Sequence, residues 1–168
     1  GSRFRLQTHM PHDPIELFID PRAGSKKLLD AFKDEASEMS MAFGDVGFFG
    51  CGPNDTQWWI GIEYKTLEDV AGCIKSGRFT GTQLPGMLQT YDLSFLLVEG
   101  IGRPDRDSGQ LVKYMGKQIY GLGLPYQAFD NFLTSVNVFS SLAGKPCIVK
   151  MAATQFEGIK MIRDAYYL

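Results

Sequence analysis

The run TQWWIGIEYK, from Thr56 to Lys65, constrains the chain more than any other stretch. Strand side chains alternate between two faces, so Ile60, Ile62 and Tyr64 share one face and Trp59, Gly61, Glu63 and Lys65 the other. The first face requires an apolar layer above it. The second carries a carboxylate and an ammonium group two residues apart, and must be either solvated or chemically useful. Thr66 follows with Asp69 three residues later, a capping-box pattern. The spacing predicts a helix with Leu67, Val70, Ala71 and Ile74 on one face, stopping at Gly77.

The flanking segments supply partners for this strand. Residues 1–13 show no period; they read as a flexible leader, opened by a Gly-Ser cloning remnant and carrying His9 and His12, whose spacing is a weak metal signal. IELFID (Ile15–Asp20) reads as a buried strand, PRAG as a turn, and Ser25 as the cap of a helix through about Glu38 with Leu28, Leu29, Phe32 and Ala36 inward. MSMAF and VGFFG read as strand with a bend at Gly44-Asp45, and CGPND as the turn of a hairpin joining Val46–Gly50 to Thr56–Lys65. A short helix around Pro85–Thr90 leads into LSFLLV, a run suited to a strand covered on both faces. Residues 101–127 read as irregular. A helix over Ala128–Leu142, with Phe129, Phe132, Leu133, Val136 and Phe139 inward, precedes a strand at PCIVKM. A second capping box, Thr154 with Glu157, opens a last helix with Phe156, Ile159, Ile162 and Tyr166 inward. Strands alternating with helices in a chain of 168 residues argue for one α/β domain with a central mixed sheet.

Glu63 and Lys65 admit two readings. One is a surface ion pair, worth at most about 1 kcal/mol. The other is a metal-dependent phosphodiesterase site, in which a carboxylate holds a hard cation and the lysine orients and polarises the attacking water. That reading needs a second acid, because Mg²⁺ binds through one or two carboxylates plus substrate phosphate. Asp45, at the bend opening the hairpin, and Asp20, ending the first strand, are the candidates. Acids at neighbouring strand ends repel unless a cation or a proton intervenes, which favours the metal site.

Composition narrows the setting. The net charge of −2 neither requires nor excludes nucleic acid. Cys51, Cys73 and Cys147 are scattered and show no C-x-x-C spacing, which suits a reducing compartment. No run approaches the roughly 20 apolar residues of a membrane span, and no signal-peptide pattern is present. The expectation is an intracellular protein without a membrane partner, in cytoplasm or nucleus, or in host cytoplasm if viral.

Read in order, FIDPRAG, FGD, IEYKTLED, IKSGRFTGTQL and LSFLLVEG resemble the nuclease domain of the XPF family of structure-specific endonucleases. That family carries an aspartate-arginine turn after its first strand, a G-D, an E-R-K-x-x-x-D, a basic stretch with Gln-Leu, and a strand ending in V-E-G. The likeness covers Ile15–Gly100 and resumes more weakly over Asn131–Tyr166. It implies a restriction-endonuclease-like fold over residues 14–168. It also implies a Mg²⁺- or Mn²⁺-dependent endodeoxyribonuclease acting on branched, flap or junction DNA in repair or recombination, leaving a 5′-phosphate and a 3′-hydroxyl. Asp45, Glu63 and the Tyr64 carbonyl would hold the metal, with Asp20 completing the acidic cluster and Asp69 at its edge; Lys65 would orient the water or stabilise charge, and Arg22, Arg78 and Gln83 would face substrate or support the site. For Asp69 helix capping is an equal alternative, and Arg78 also reads as a solvated residue after a helix stop.

Two departures qualify the resemblance. Tyr64 stands where the family has arginine, on the face away from Glu63 and Lys65. The sequence also runs to Leu168 without the tandem helix-hairpin-helix modules usual in the family, so junction or flap specificity is not inherited automatically. Residues 101–127 exceed the family pattern and interleave Arg103, Arg106, Lys113 and Lys117 with Tyr114, Tyr120 and Tyr126. They read either as a DNA-binding insertion, with Lys113 and Lys117 on phosphates, or as a surface hairpin packing its tyrosines on the domain. A homodimer through the nuclease domain stays open, as do RNA cleavage and a non-catalytic DNA-binding or partner-docking role on the same fold.

Overall fold

The computed structural model describes residues 17–22, 24 and 26–167. The leader with His9 and His12, and the cap expected from Ser25, lie outside these residues. Six strands form the main sheet in the order β2-β1-β3-β4-β5-β9. They are β1 (Leu17–Ile19), β2 (Ala36–Glu38), β3 (Val46–Cys51), β4 (Gln57–Thr66), β5 (Leu93–Glu99) and β9 (Cys147–Ala152). The sheet is mixed: β1–β3 and β3–β4 are antiparallel, whereas β1–β2, β4–β5 and β5–β9 are parallel. A second, three-stranded antiparallel sheet contains β6 (Gly102–Pro104), β7 (Gln110–Met115) and β8 (Gln118–Pro125).

Alternation along β4 sorts the molecule into layers. Ile60, Ile62 and Tyr64 are buried with Leu28 and Phe32 and with Ile162 and Tyr166. Those partners come from α1 (Lys26–Ala31), the turn after it, and α5 (Gln155–Tyr166). The opposite core gathers Leu67, Val70, Leu84, Leu96, Val98, Phe129 and Phe132. It is built from β5, α2 (Leu67–Ser76), α3 (Leu84–Thr90) and α4 (Tyr126–Ala143), with Leu111 and Leu124 of the small sheet added. Thr66 ends β4 and also caps α2, its Oγ1 accepting from the Asp69 amide at 3.1 Å, so strand and helix join without a loop. Thr154 caps α5 in the same way, through the Glu157 amide.

Four expectations need correction. The first helix stops at Ala31 rather than Glu38, because Ala36–Glu38 pairs in parallel with the edge of β1, a long-range partner that local periodicity does not reveal. MSMAF is not a strand: Met41 offers its amide to a carboxylate and Phe43 its carbonyl to a hydroxyl, so neither joins a ladder. Of residues 101–127, expected to be irregular, Gly102–Pro125 hold the small sheet, whose strands are short and interrupted by glycine, and Tyr126 and Gln127 open α4. Phe139 and Phe156 are 46% and 79% exposed, because the buried stripes run through Phe129, Phe132, Val136 and Ser140 in α4 and Gly158, Ile162 and Tyr166 in α5.

Gly61 is the one small residue in the middle of β4, and the Tyr91 ring lies on it. A Cβ there would sit 2.4 Å from the ring carbons. Gly61→Ala therefore forces apart two parts of the core and is expected to destabilise by about 2 kcal/mol in chemical denaturation. Gly72, exposed within α2 with nothing near its would-be Cβ, provides the contrast: Gly72→Ala is expected to stabilise by about 1 kcal/mol through helix propensity.

Candidate active site

Tyr91 organises the ground on which the acids stand. Its ring rests on Gly61 and tilts against Trp59, with centroids 5.5 Å apart. Its hydroxyl donates to the Phe43 carbonyl at 2.6 Å. The chain then turns through Gly44, at φ +90°, into Asp45. Asp45 is held from three directions: its amide donates to the Ile62 carbonyl at 2.8 Å, its carbonyl accepts from the Asp20 amide at 3.0 Å, and its Oδ2 accepts from the Tyr64 amide at 2.8 Å. Because β3 and β4 pair with Val46 opposite Ile62, Asp45 comes beside Glu63.

The two carboxyl groups line the same cleft, close enough for each to feel the other's charge. Burial, followed by the neighbouring Asp45 carboxyl, pushes Glu63 up to about 8, against the opposing pull of Lys65 and Arg22. Two carboxylates this close share a proton or a cation rather than both standing bare. Burial and the neighbouring charges of Glu63, Asp45 and Asp20 hold the Tyr91 phenol well above its ordinary range, so it remains a neutral donor.

Asp20 faces the protein. It is 1% exposed; Oδ1 accepts from the Arg22 amide and Nε, both at 2.8 Å, and Oδ2 accepts from the Met41 amide at 2.7 Å. Burial works against its charge, but the Met41 and Arg22 bonds outweigh it and hold the carboxyl below its usual range. Arg22 continues through Nη2 to the Gly44 carbonyl at 3.3 Å and leaves the rest of its guanidinium exposed. Arg22, Asp45, Glu63, Arg78 and Gln83 line one cleft of about 410 Å³. A π-helical turn over Phe79–Gln83 brings Gln83 to it. Gln83 Oε1 is buried and has no hydrogen-bond partner among the described residues.

The other candidate residues lie around this cleft or away from it. Lys65 follows on the Glu63 face of β4, close enough for its charge to act on Glu63. Asp69 stands exposed in the first turn of α2. Tyr64 turns to the opposite face, where its hydroxyl donates to Glu99 Oε1 at 2.6 Å and Lys27 lies 4.6 Å from its ring centre. Lys113 binds Glu68 at 2.8 Å, and Lys117 sits in the turn between β7 and β8. Sequence reasoning missed Tyr91 and the backbone groups of Met41 and Phe43; the single trace was Gly61, since glycine within a strand often marks a close approach.

Among the described residues, no three His, Cys, Asp or Glu side chains gather into a metal cage. The cleft offers two hard oxygen donors, Asp45 and Glu63, and neither histidine nor cysteine lines it. A pair of carboxylates that cannot both ionise alone suits a hard divalent cation that completes its shell with water and phosphate.

No protein-family model matches the chain, and no curated protein sequence does. Solved structures do match. XPF from Aeropyrum pernix aligns with a TM-score of 0.54 at 16% identity, covering 89% of this chain and 62% of that one. The same protein in complex with DNA aligns with a TM-score of 0.59 at 15% identity, covering 91% and 64%. The present chain thus spans less than two thirds of those structures. At such identity the likeness speaks for architecture alone: the chain has the restriction-endonuclease-like α/β fold seen in XPF.

Proposed function

We propose that this chain is a divalent-cation-dependent endodeoxyribonuclease acting on branched, flap or junction DNA. Asp45 and Glu63, which line one cleft together with Arg22 and Arg78, carry the reading. The likeness to an XPF structure in complex with DNA supports DNA as the substrate.

Asp45, Glu63 and the Tyr64 carbonyl would hold Mg²⁺ or Mn²⁺, which when bound supplies Lewis-acid polarisation of the phosphate and of water. Lys65, on the same face of β4 as Glu63, orients the attacking water with its ammonium group, and the proton that the water loses passes to solvent. The exposed part of Arg22, together with Arg78, offsets phosphate charge at the cleft wall. Gln83 Oε1 accepts a hydrogen bond from a water in the cleft. Water oxygen bonds to phosphorus as the bond to O3′ breaks, and the O3′ leaving group gains a proton from solvent. The products carry a 5′-phosphate and a 3′-hydroxyl. Asp20 supports this arrangement from behind by fixing Arg22 and Met41.

Cleavage of flapped, branched and linear DNA, with Mg²⁺ and with chelator, tests the reading. Asp45→Ala, Glu63→Ala and Lys65→Ala are each expected to lower the rate at least about a hundredfold while the fold persists. Full activity in either acid variant rules the mechanism out. Mg²⁺-independent binding without cleavage by the unaltered protein favours a docking module instead.

The Asp45–Glu63 pair also sets a pH dependence. Glu63 titrates near 8 when folded and near 4.5 ordinarily, so between those values the folded state keeps a proton that the unfolded chain has released. Stability without divalent cations is expected to fall as pH rises through that window and to level off above it. Thermal melts should show the slope flattened in Glu63→Gln. Added Mg²⁺ should raise the melting temperature of the unaltered protein above the window and leave Glu63→Gln little changed.

A further inference from the structure

The tip of the β7–β8 hairpin exposes side chains that the remainder of the small sheet buries. At its base Leu111 and Leu124 are buried in the α2–α4 core, and Lys113 ties the hairpin to the first turn of α2 through Glu68. At its tip Tyr114, Met115, Ile119 and Tyr120 are 42%, 57%, 52% and 45% exposed. The register pairs Tyr114 with Ile119, Lys113 with Tyr120, and Met115 with Gln118. Directly opposed residues share a face, so Tyr114 and Ile119 occupy one side of the tip while Tyr120 and Met115 occupy the other. The Tyr120 hydroxyl donates to Gln118 Oε1, two residues away on the same strand face. Neither side of the tip is buried. The result is a thin apolar blade with an aromatic ring on each flank.

Charge identifies what such a blade fits. From Ser108 to Phe129 the sequence holds no Asp or Glu, although the whole chain has a net charge of −2. The charged residues of that stretch are Lys113 and Lys117, and Lys117 sits in the turn at the apex. The nearby acids are engaged elsewhere, Glu68 by Lys113 and Glu99 by Tyr64 and Lys27, so the tip presents two rings and an apical cation, which suit a polyanion with flat apolar faces. Unpaired nucleobases on a phosphate backbone have that chemistry, whereas a duplex hides its base faces in the stack. Exposed Met115 and Ile119 alone would suit a protein partner equally, but such a partner gives no reason for two rings flanking an apex whose charged residue is Lys117.

We propose that the β7–β8 tip is a docking site for unpaired DNA, with Tyr114 and Tyr120 as stacking surfaces on its two flanks and Lys117 against the backbone. The choice of DNA rests on the nuclease reading of the cleft.

Fluorescence anisotropy in chelator measures binding without cleavage, using labelled oligothymidylate of about 20 nucleotides, a duplex of equal length and the matching oligouridylate. Tyr114→Ala and Tyr120→Ala are each expected to weaken oligothymidylate binding about tenfold and to leave duplex binding within about twofold. Tyr114→Phe and Tyr120→Phe should keep the original affinity. In the unaltered protein, photocrosslinking with iodouracil-containing DNA should place adducts on Tyr114 or Tyr120. Unchanged affinity in both alanine variants, equal losses on duplex, tighter binding of the RNA, or adducts only elsewhere overturns the proposal. So does a dimer that the alanine variants dissolve with oligothymidylate affinity unaltered. A protein that binds in this assay but never cleaves with Mg²⁺ loses the nuclease reading and keeps the docking site.

Discussion

Asp45 is fixed by hydrogen bonds to residues on both sides of it in the sheet. Its amide and carboxylate reach β4, while its carbonyl receives the amide that follows β1. None of these bonds depends on a mobile side chain of the neighbour, because each partner group is backbone. The turn carrying Asp45 is held from above by Tyr91, whose ring can approach only because Gly61 lacks a side chain. The acid is thereby placed by the sheet itself, and the fold and the cleft are specified by the same contacts.

The electrostatics follow from that placement. Asp20, Asp45 and Glu63 lie near one another, yet they meet different fates. Asp20 is satisfied by two amides and a guanidinium and stays ionised despite burial. Glu63 has less compensation and is pushed toward its neutral form by burial and by Asp45. Arg22 belongs to both environments: it binds Asp20, and its charge acts on Asp45 and Glu63. One guanidinium thus stabilises the structural acid and moderates the repulsion in the cleft. The cost of gathering negative charge falls mainly on Glu63, where an added cation has most to relieve.

The sequence makes some elements legible and conceals others. β4 and α2 were readable because their signals are local: alternation over Ile60, Ile62 and Tyr64, then Thr66 with Asp69 at capping distance. The neighbourhood of Asp45 and Glu63 was readable too, since CGPND implies a hairpin and its register follows. The end of α1 was not readable. Leu28, Phe32 and Ala36 keep helical spacing, while the parallel pairing that draws Ala36 into β2 comes from β1, on the other side of α1. The small sheet was hidden by short strands and by Gly109, Gly116 and Gly123, which dilute a period-two pattern and serve the left-handed conformation. Tyr91 sits where a helix gives way to a strand, and a single residue at such a joint shows no period at all.

The loopless junction at Thr66 limits how this chain can vary. A residue inserted between Lys65 and Leu67 would turn the apolar stripe of α2 by about 100° away from its core, or reverse the faces of β4. Either change would separate the carboxylate pair from the layer supporting it. Length variation should therefore be confined to places such as Asp105–Gly109 and the turn at Gly116, which bear exposed residues and no core. The interval from Glu63 to Leu67 has a fixed measure, and relatives of this chain should preserve that count even where the letters between differ.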